Sequence, residues 1–331
     1  MRRATTMPVF APGWRPRWGS ECLILAAGGV YFLAAAPFIP GLASWENLGN
    51  LLSNLLPLLV IAVGQTLVLI AGGIDLSATA IMAVTSVAGA MVMRGVPGHG
   101  LVAALAGVGV MLGMGTAVGW GNGFAITRLR LPAFMVTLTS MMFFSGLALW
   151  LTQSQKINGL PAAFNALGGN LAVELILTTA VVGLTAWGLG RLLAGRWLYA
   201  VGHNPRAALI SGVPVGPVVM AAYAFSGGAA ALGAVLLTGR GETGDPVLGR
   251  YLMLDVIGAA VLGGASFFGG RGGVGGTAAG VLFIKLVDNS LSLQGCSHFT
   301  IMMVKGGLIL AAALADGGRR RLAGEDQGGR A

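Results

Sequence analysis

Arg196–Gly216, RWLYAVGHNPRAALISGVPVG, is a short and moderately polar stretch caught between two long apolar runs. On either side the chain reads as membrane, so this piece must lie in water. Its middle starts like a helix: Asn204 can cap free backbone N–H groups, and Pro205 suits the first helical position. Gly212 and then Pro214 stop that helix within about two turns. Two readings follow from the residues. One is an ordinary loop between spans; the other is a helix on which a soluble partner docks.

Working outward, the surrounding composition sets the class. Of 331 residues, 55% are hydrophobic and only 9% charged, against roughly a quarter charged in soluble domains. This is an all-α polytopic membrane protein. The isoelectric point near 10.6 would suggest nucleic acid in a soluble chain. Here lysine and arginine collect in loops on one side of a bilayer, so no nucleic acid is implied. Cys22 and Cys296 lie far apart, and His99, His203 and His298 are isolated. Neither a structural disulfide nor a metal site is expected.

Apolar windows long enough to cross roughly 30 Å of hydrocarbon fall at 21–40, 51–71, 76–94, 101–127, 133–153, 171–190, 217–238, 253–270, 274–292 and 299–316. The first follows a basic stretch, Arg2 to Arg17, but it has span length rather than signal length and reads as a retained helix. About ten spans put both termini on one side. With the termini inside, the inner segments hold Arg2, Arg3, Arg15, Arg17 and the arginines at 128–130, 191–206, 271 and 319–330. The outer segments hold only Arg94, Lys156, Arg240 and Arg250. That positive-inside bias puts 196–216 in the cytoplasm. The expected layout is a cytoplasmic tail over 1–20, a transmembrane domain over 21–316 and a disordered cytoplasmic tail over 317–331. The polar segment 237–252 is expected on the outer side, as a loop or a partly re-entrant hairpin.

Glycine is abundant, with 56 residues, much of it inside the spans. Gly109 and Gly113, then Gly115, Gly119 and Gly123, recur every four residues, and Gly276 and Gly280 repeat the spacing. Such faces let helices approach closely in lipid. Gly72-Gly73, Gly263-Gly264 and the run Gly269–Gly273 are too dense for plain helix and imply breaks lined by protein or water.

Few residues could carry chemistry. Asp75, at the junction of the second and third spans, could cap the third helix, and could also brace the bundle against a partner. Lys285 and Asp288 are three apart and can pair on one helix face. Asp255 and Lys305 are further costly intramembrane charges, read either as pathway lining or as helix-end groups that snorkel. There is no Ser-His-Asp or HExxH context, and none of Lys156, Lys285 and Lys305 follows a glycine as a Walker A lysine would. No cofactor is expected, and any ATP must be bound by another chain.

Three stretches, taken together, carry a resemblance. The first is Gly64-Gln65-Thr66 through Gly72-Gly73-Ile74-Asp75-Leu76-Ser77. The second is Gly121-Asn122-Gly123 through Arg128–Phe134 to Thr137-Leu138. The third runs from Tyr199 through Asn204, Ala207-Ala208 and Ser211-Gly212, and resumes at Val261–Gly264 and Gly269–Gly272. In this order they resemble the membrane-spanning permease subunit of bacterial ribose, xylose, arabinose and galactose-type ABC importers, over roughly 45–316. The chain departs from the usual pattern at Ala78-Thr79 and at Ala265–Phe268. The resemblance implies an inner-membrane subunit that moves a monosaccharide or related polyol. It also implies a second permease copy, a cytoplasmic ABC ATPase and a periplasmic sugar-binding protein as partners. Gly202, Asn204, Ala207, Ala208, Ser211 and Gly212 would contact the ATPase, and Gly72, Gly73, Asp75 and Ser77 would form a helix-junction motif. Competing expectations are a branched-chain amino-acid or nucleoside importer permease, and a self-sufficient secondary transporter with an ion site among Asp255, Lys285 and Asp288.

Overall fold

A computed structural model describes residues 18–96, 98 and 100–322. The spans begin with α1 (Trp18–Ala35), α2 (Trp45–Ile70), α3 (Ala78–Gly95), α4 (Leu101–Arg128) and α5 (Ala133–Thr152). A two-residue strand β1 (Ile157–Asn158) and a short helix α6 (Ala162–Gly169) lead into α7 (Leu171–Arg191). Two small helices follow, α8 (Leu193–His203) and α9 (Pro205–Ile210), before the long α10 (Val215–Gly241). The chain closes with β2 (Thr243–Gly244), α11 (Met253–Leu262), α12 (Val274–Leu293) and α13 (His298–Leu322). The tail expected from 317 is thus helical to Leu322; residues 1–17 and 323–331 lie outside the described residues.

The bundle is built around α10 because that helix is nearly all glycine, alanine and small polar residues along its middle. A Cβ at Gly119 would overlap the Tyr223 backbone, and one at Gly123 would press on Met220. Gly115 and Gly227 meet backbone to backbone. Ascending numbers on α4 therefore meet descending numbers on α10, and the two helices run antiparallel in close contact. The spacing at 115, 119 and 123 is an interface, as small residues every four positions suggest. Gly109 and Gly113 share that spacing but face open space, with nothing within 4 Å of a built Cβ. They lie on the other face of α4, so periodicity alone picked out two glycines that pack nothing. On the far side of α10, α2 is buried almost throughout from Leu55 to Ile70, and Gly64 sits against Ser226 and Ala229.

Six helices among the described residues, α2, α3, α4, α5, α7 and α10, are long and apolar enough to cross a membrane. The remaining expected windows coincide with α1, α11, α12 and α13. One expectation changes: 253–270 is not a single helix. α11 has 10 residues, about 15 Å at 1.5 Å per residue, which is half a bilayer. Its approach is irregular too. Gly244 packs against Ala90 and Ser86 of α3, the Asp245 N–H donates to the Ser86 hydroxyl (3.1 Å), and Gly249 meets Met82. The chain therefore runs back along α3 toward that helix's start before α11 begins. Antiparallel pairing of Ile157 with Gly244 and Asn158 with Thr243 pins the top of this segment.

Candidate functional site

The stretch singled out at the start is two helices with a sharp corner. α8 ends at Asn204, whose extended backbone (φ −157°, ψ 100°) turns the chain. Its side chain then accepts from the N–H groups of Arg206 (3.1 Å) and Ala207 (3.0 Å), capping α9 with Pro205 in the first turn. Gly212, at φ +82°, ends α9 in the left-handed region that favours glycine. The expected capping and termination are therefore present. Ala208 is buried against Val201 and Val213, whereas Ala207, Ser211 and Gly212 are exposed. The sequence reading missed the outward side chains: Leu209 is 65% and Ile210 88% exposed, an apolar tip on an otherwise polar connection.

At the end of α8, three separate glycine segments touch. A Cβ at Gly202 would overlap the Ile70 carbonyl oxygen at the end of α2. The Gly270 N–H donates to the same oxygen at 2.9 Å. Gly269, at φ +85°, lies against the Gly202 carbonyl and the Gly72 backbone. Close by, the Tyr199 hydroxyl donates to the Gly272 carbonyl (2.8 Å). Burial, with the Glu21 carboxylate adding, pushes that hydroxyl up to about 12, so Tyr199 keeps its proton and remains a donor. The first motif stretch and both parts of the third, far apart in sequence, thus converge: the corner of α8 and α9 is seated on both helix breaks.

Asp75 anchors the first break. Its carboxylate accepts from the Ser77 N–H (2.9 Å) and hydroxyl (2.6 Å) and from the Ser226 hydroxyl of α10 (2.8 Å). Asn122 of α4 donates to the Ser77 hydroxyl (2.9 Å). With its amide turned to satisfy both atoms, Gln65 donates to the Asp75 carbonyl (3.0 Å) and accepts from its N–H (3.2 Å). Tyr223 and Thr137 both donate to the Ile74 carbonyl, each at 3.2 Å. The expected cap is not formed: α3 starts at Ala78 behind Ser77, with no side chain capping its N–H groups, and Asp75 accepts from Ser77 ahead of the helix. Asp75 is wholly buried and, with Gln65, Ser77, Asn122 and Ser226, ties α2, α4 and α10 to the start of α3. Gly73 packs under the Tyr223 hydroxyl.

The four intramembrane charges also meet. Lys285 reaches Asp288 (3.4 Å), the pair expected from their spacing, and also Asp255 (3.7 Å). Lys305 bridges Asp255 (2.9 Å) and Asp288 (3.3 Å). Two cations and two anions close an electroneutral ring across α11, α12 and α13, which is how such charges become tolerable away from water. A second buried pair escaped the sequence reading. Glu174 of α7 is held by Arg240 of α10, whose guanidinium also donates to the Ser53 carbonyl (2.6 Å). Only the unusual position of Glu174, at the start of an apolar run, hinted at it.

A family model described as branched-chain amino acid transport system / permease component matches residues 47–313. Among curated proteins, the chain is 39% identical to the ribose import permease protein of Bacillus subtilis, over 82% of this chain and 84% of that one. It is 32% identical to the ribose import permease protein of Escherichia coli, covering 90% and 94%. It is also 32% identical to the L-arabinose ABC transporter permease protein of Azospirillum brasilense, covering 88% and 86%. No solved structure matches the chain. Read with the converging motifs, the match over most of its length means that this chain belongs to that family of membrane permease components.

Proposed function

We propose that this protein is the inner-membrane permease subunit of an ABC importer for a monosaccharide or related polyol. The substrate class rests on relatives that carry ribose and arabinose in their names and align over most of both chains. The mechanism rests on one observation: the exposed tip of α9 is joined, through Gly202, to backbone at both helix breaks. A separate cytoplasmic ATPase docks on Ala207, Leu209 and Ile210, and Ser211 and Gly212 complete that surface. When the ATPase pair closes, α9 moves. Gly202 has no side chain to yield, so the displacement passes to the end of α2 and to the turn between α11 and α12, and re-tilts the bundle between inward- and outward-open states. A periplasmic binding protein delivers the solute, and a second permease copy completes the pathway.

The same reading has about ten crossings with both termini in the cytoplasm, the transmembrane domain over 21–316 and 196–216 as its coupling segment. Asp255, Lys285, Asp288 and Lys305 neutralise one another, which leaves little for a coupling-ion site and disfavours a self-sufficient carrier.

The test is uptake of radiolabelled pentose into vesicles holding the chain with its ATPase and binding protein. Ala207→Glu should cut ATP-dependent uptake at least about tenfold, because an unpaired charge desolvated at an interface costs about 2 kcal/mol or more. The thermal unfolding of the isolated permease should be unchanged. Uptake that needs no ATP and ignores the substitution would overturn the assignment, and ATP-dependent uptake of radiolabelled leucine with none of pentose would overturn the substrate class.

A further inference from the structure

An open groove of about 530 Å³ runs along the outside of the bundle where α7 and α8 meet α10. Leu67, Leu184, Gly188, Leu198, Pro217 and Phe225 form much of its wall. Only Thr185 and Trp197 bring polar side-chain atoms to it, and the Thr185 hydroxyl is already spent on the Val181 carbonyl (2.7 Å). Such a lining has no network to offer a sugar or ordered water. Neighbouring side chains on α7, Ile176 and Trp187, are exposed and apolar, so this side of the molecule faces hydrocarbon.

Two basic residues adjoin the groove lining in sequence. Arg191 closes α7 and Arg196 lies in the first turn of α8; both are exposed, and each is flanked by groove residues, Gly188 and Leu192 for one, Gly195 and Trp197 for the other. The sequence holds no aspartate or glutamate between Glu174 and Glu242; the acid that acts on α8, Glu21 of α1, faces Tyr199, whose hydroxyl is turned to Gly272. Apolar trough and basic lip together match the two ends of one molecule.

We propose that the groove is a binding site for an anionic phospholipid, with an acyl chain between α7 and α10 and its phosphate at Arg191 and Arg196. The inference uses the membrane orientation given above but not the transported solute, so it stands or falls separately from sugar import. It places a lipid beside Trp197 and Leu198, on the helix that carries the corner at Asn204.

The purified full chain, reconstituted in phosphatidylethanolamine vesicles, is exposed to trace phosphatidylglycerol or phosphatidylethanolamine bearing a photoreactive group on the acyl chain. Attachment sites are then mapped by peptide mass spectrometry. The expected result is attachment within 184–198 and 217–225, with the phosphatidylglycerol probe favoured on the order of tenfold or more, since each arginine at an anionic surface contributes about fivefold. Arg191→Gln with Arg196→Gln should bring the two probes near parity. Ala221→Phe, which fills the trough, should remove both from these segments while leaving attachment at the exposed face of α5 unchanged. Equal labelling over α5 and the groove, a preference indifferent to the arginine changes, or no labelling of the groove by either probe would each overturn the proposal.

Discussion

Gly202 and Gly109 are both helical glycines, and the physics of adding one methyl group to each is different. At Gly202 the new Cβ would land on the Ile70 carbonyl oxygen and near the Gly270 N–H, two backbone groups already hydrogen-bonded to each other. Neither can swing away as the end of a flexible side chain would. Gly202→Ala should therefore destabilise the protein by about 1–3 kcal/mol, the usual cost of overpacking. At Gly109 nothing lies within 4 Å, and alanine is the better helix former by about 1 kcal/mol, so Gly109→Ala should be neutral or slightly stabilising. Thermal unfolding of both variants in one detergent decides the matter; equal losses would mean that the crossing behind α9 is loose. The sequence named Gly202 through its motif and Gly109 through its spacing, yet could say nothing of what either touches. Ile70 and Gly270 reach Gly202 only through tertiary folding, and local pattern holds no record of that. Asp75 teaches the same lesson from the polar side. A carboxylate just before a helix reads as a cap from sequence, but its second oxygen goes to Ser226, on a helix far along the chain.

Among elements, α11 is the one whose hold on the bundle is most open to a direct test. It is short, follows an irregular descent along α3, and ends in a glycine-rich turn, so its own hydrogen bonds do little to fix it. Asp255 in its first turn is tied to Lys305 on α13 and Lys285 on α12. Asp255→Asn would leave two buried lysines sharing the single charge of Asp288. Removing one partner from a buried ionic group typically costs about 3–5 kcal/mol, and a loss of that size is expected. The pair Asp255→Leu with Lys305→Leu keeps the ring neutral and should cost less than either single change. A double-mutant cycle on unfolding free energies tests this; additive losses would show that Asp255 and Lys305 act independently. The i, i+3 spacing made Lys285 and Asp288 legible as a pair. Asp255 and Lys305 were legible only as expensive charges, because no spacing rule connects residues on separate helices. Likewise the windows foretold where α11 begins, but hydropathy cannot distinguish ten helical residues with an apolar turn from one continuous span.

For the whole molecule the open quantity is which side of the membrane each loop occupies. Hydropathy and arginine distribution point to a cytoplasmic corner at 203–206 and an outer sheet at 157–158 and 243–244. The fold agrees internally: α10 runs from the corner at one end to the β1–β2 pairing at the other, so these two features must lie on opposite sides if α10 crosses the bilayer. With Cys22 and Cys296 replaced by serine, Arg206→Cys and Glu242→Cys give single reporters at the two ends of that helix, both exposed. A membrane-impermeant thiol reagent added to intact spheroplasts should label position 242 and not 206. Inverted vesicles should reverse the pattern, because the arginine-rich side is retained inside. Labelling of both positions from one side would mean that α10 does not cross, and the docking of an ATPase at α9 would fall with it. Labelling in the reverse sense would leave the bundle intact but expose Leu209 and Ile210 to the outside, where no ATP is available to drive what binds them.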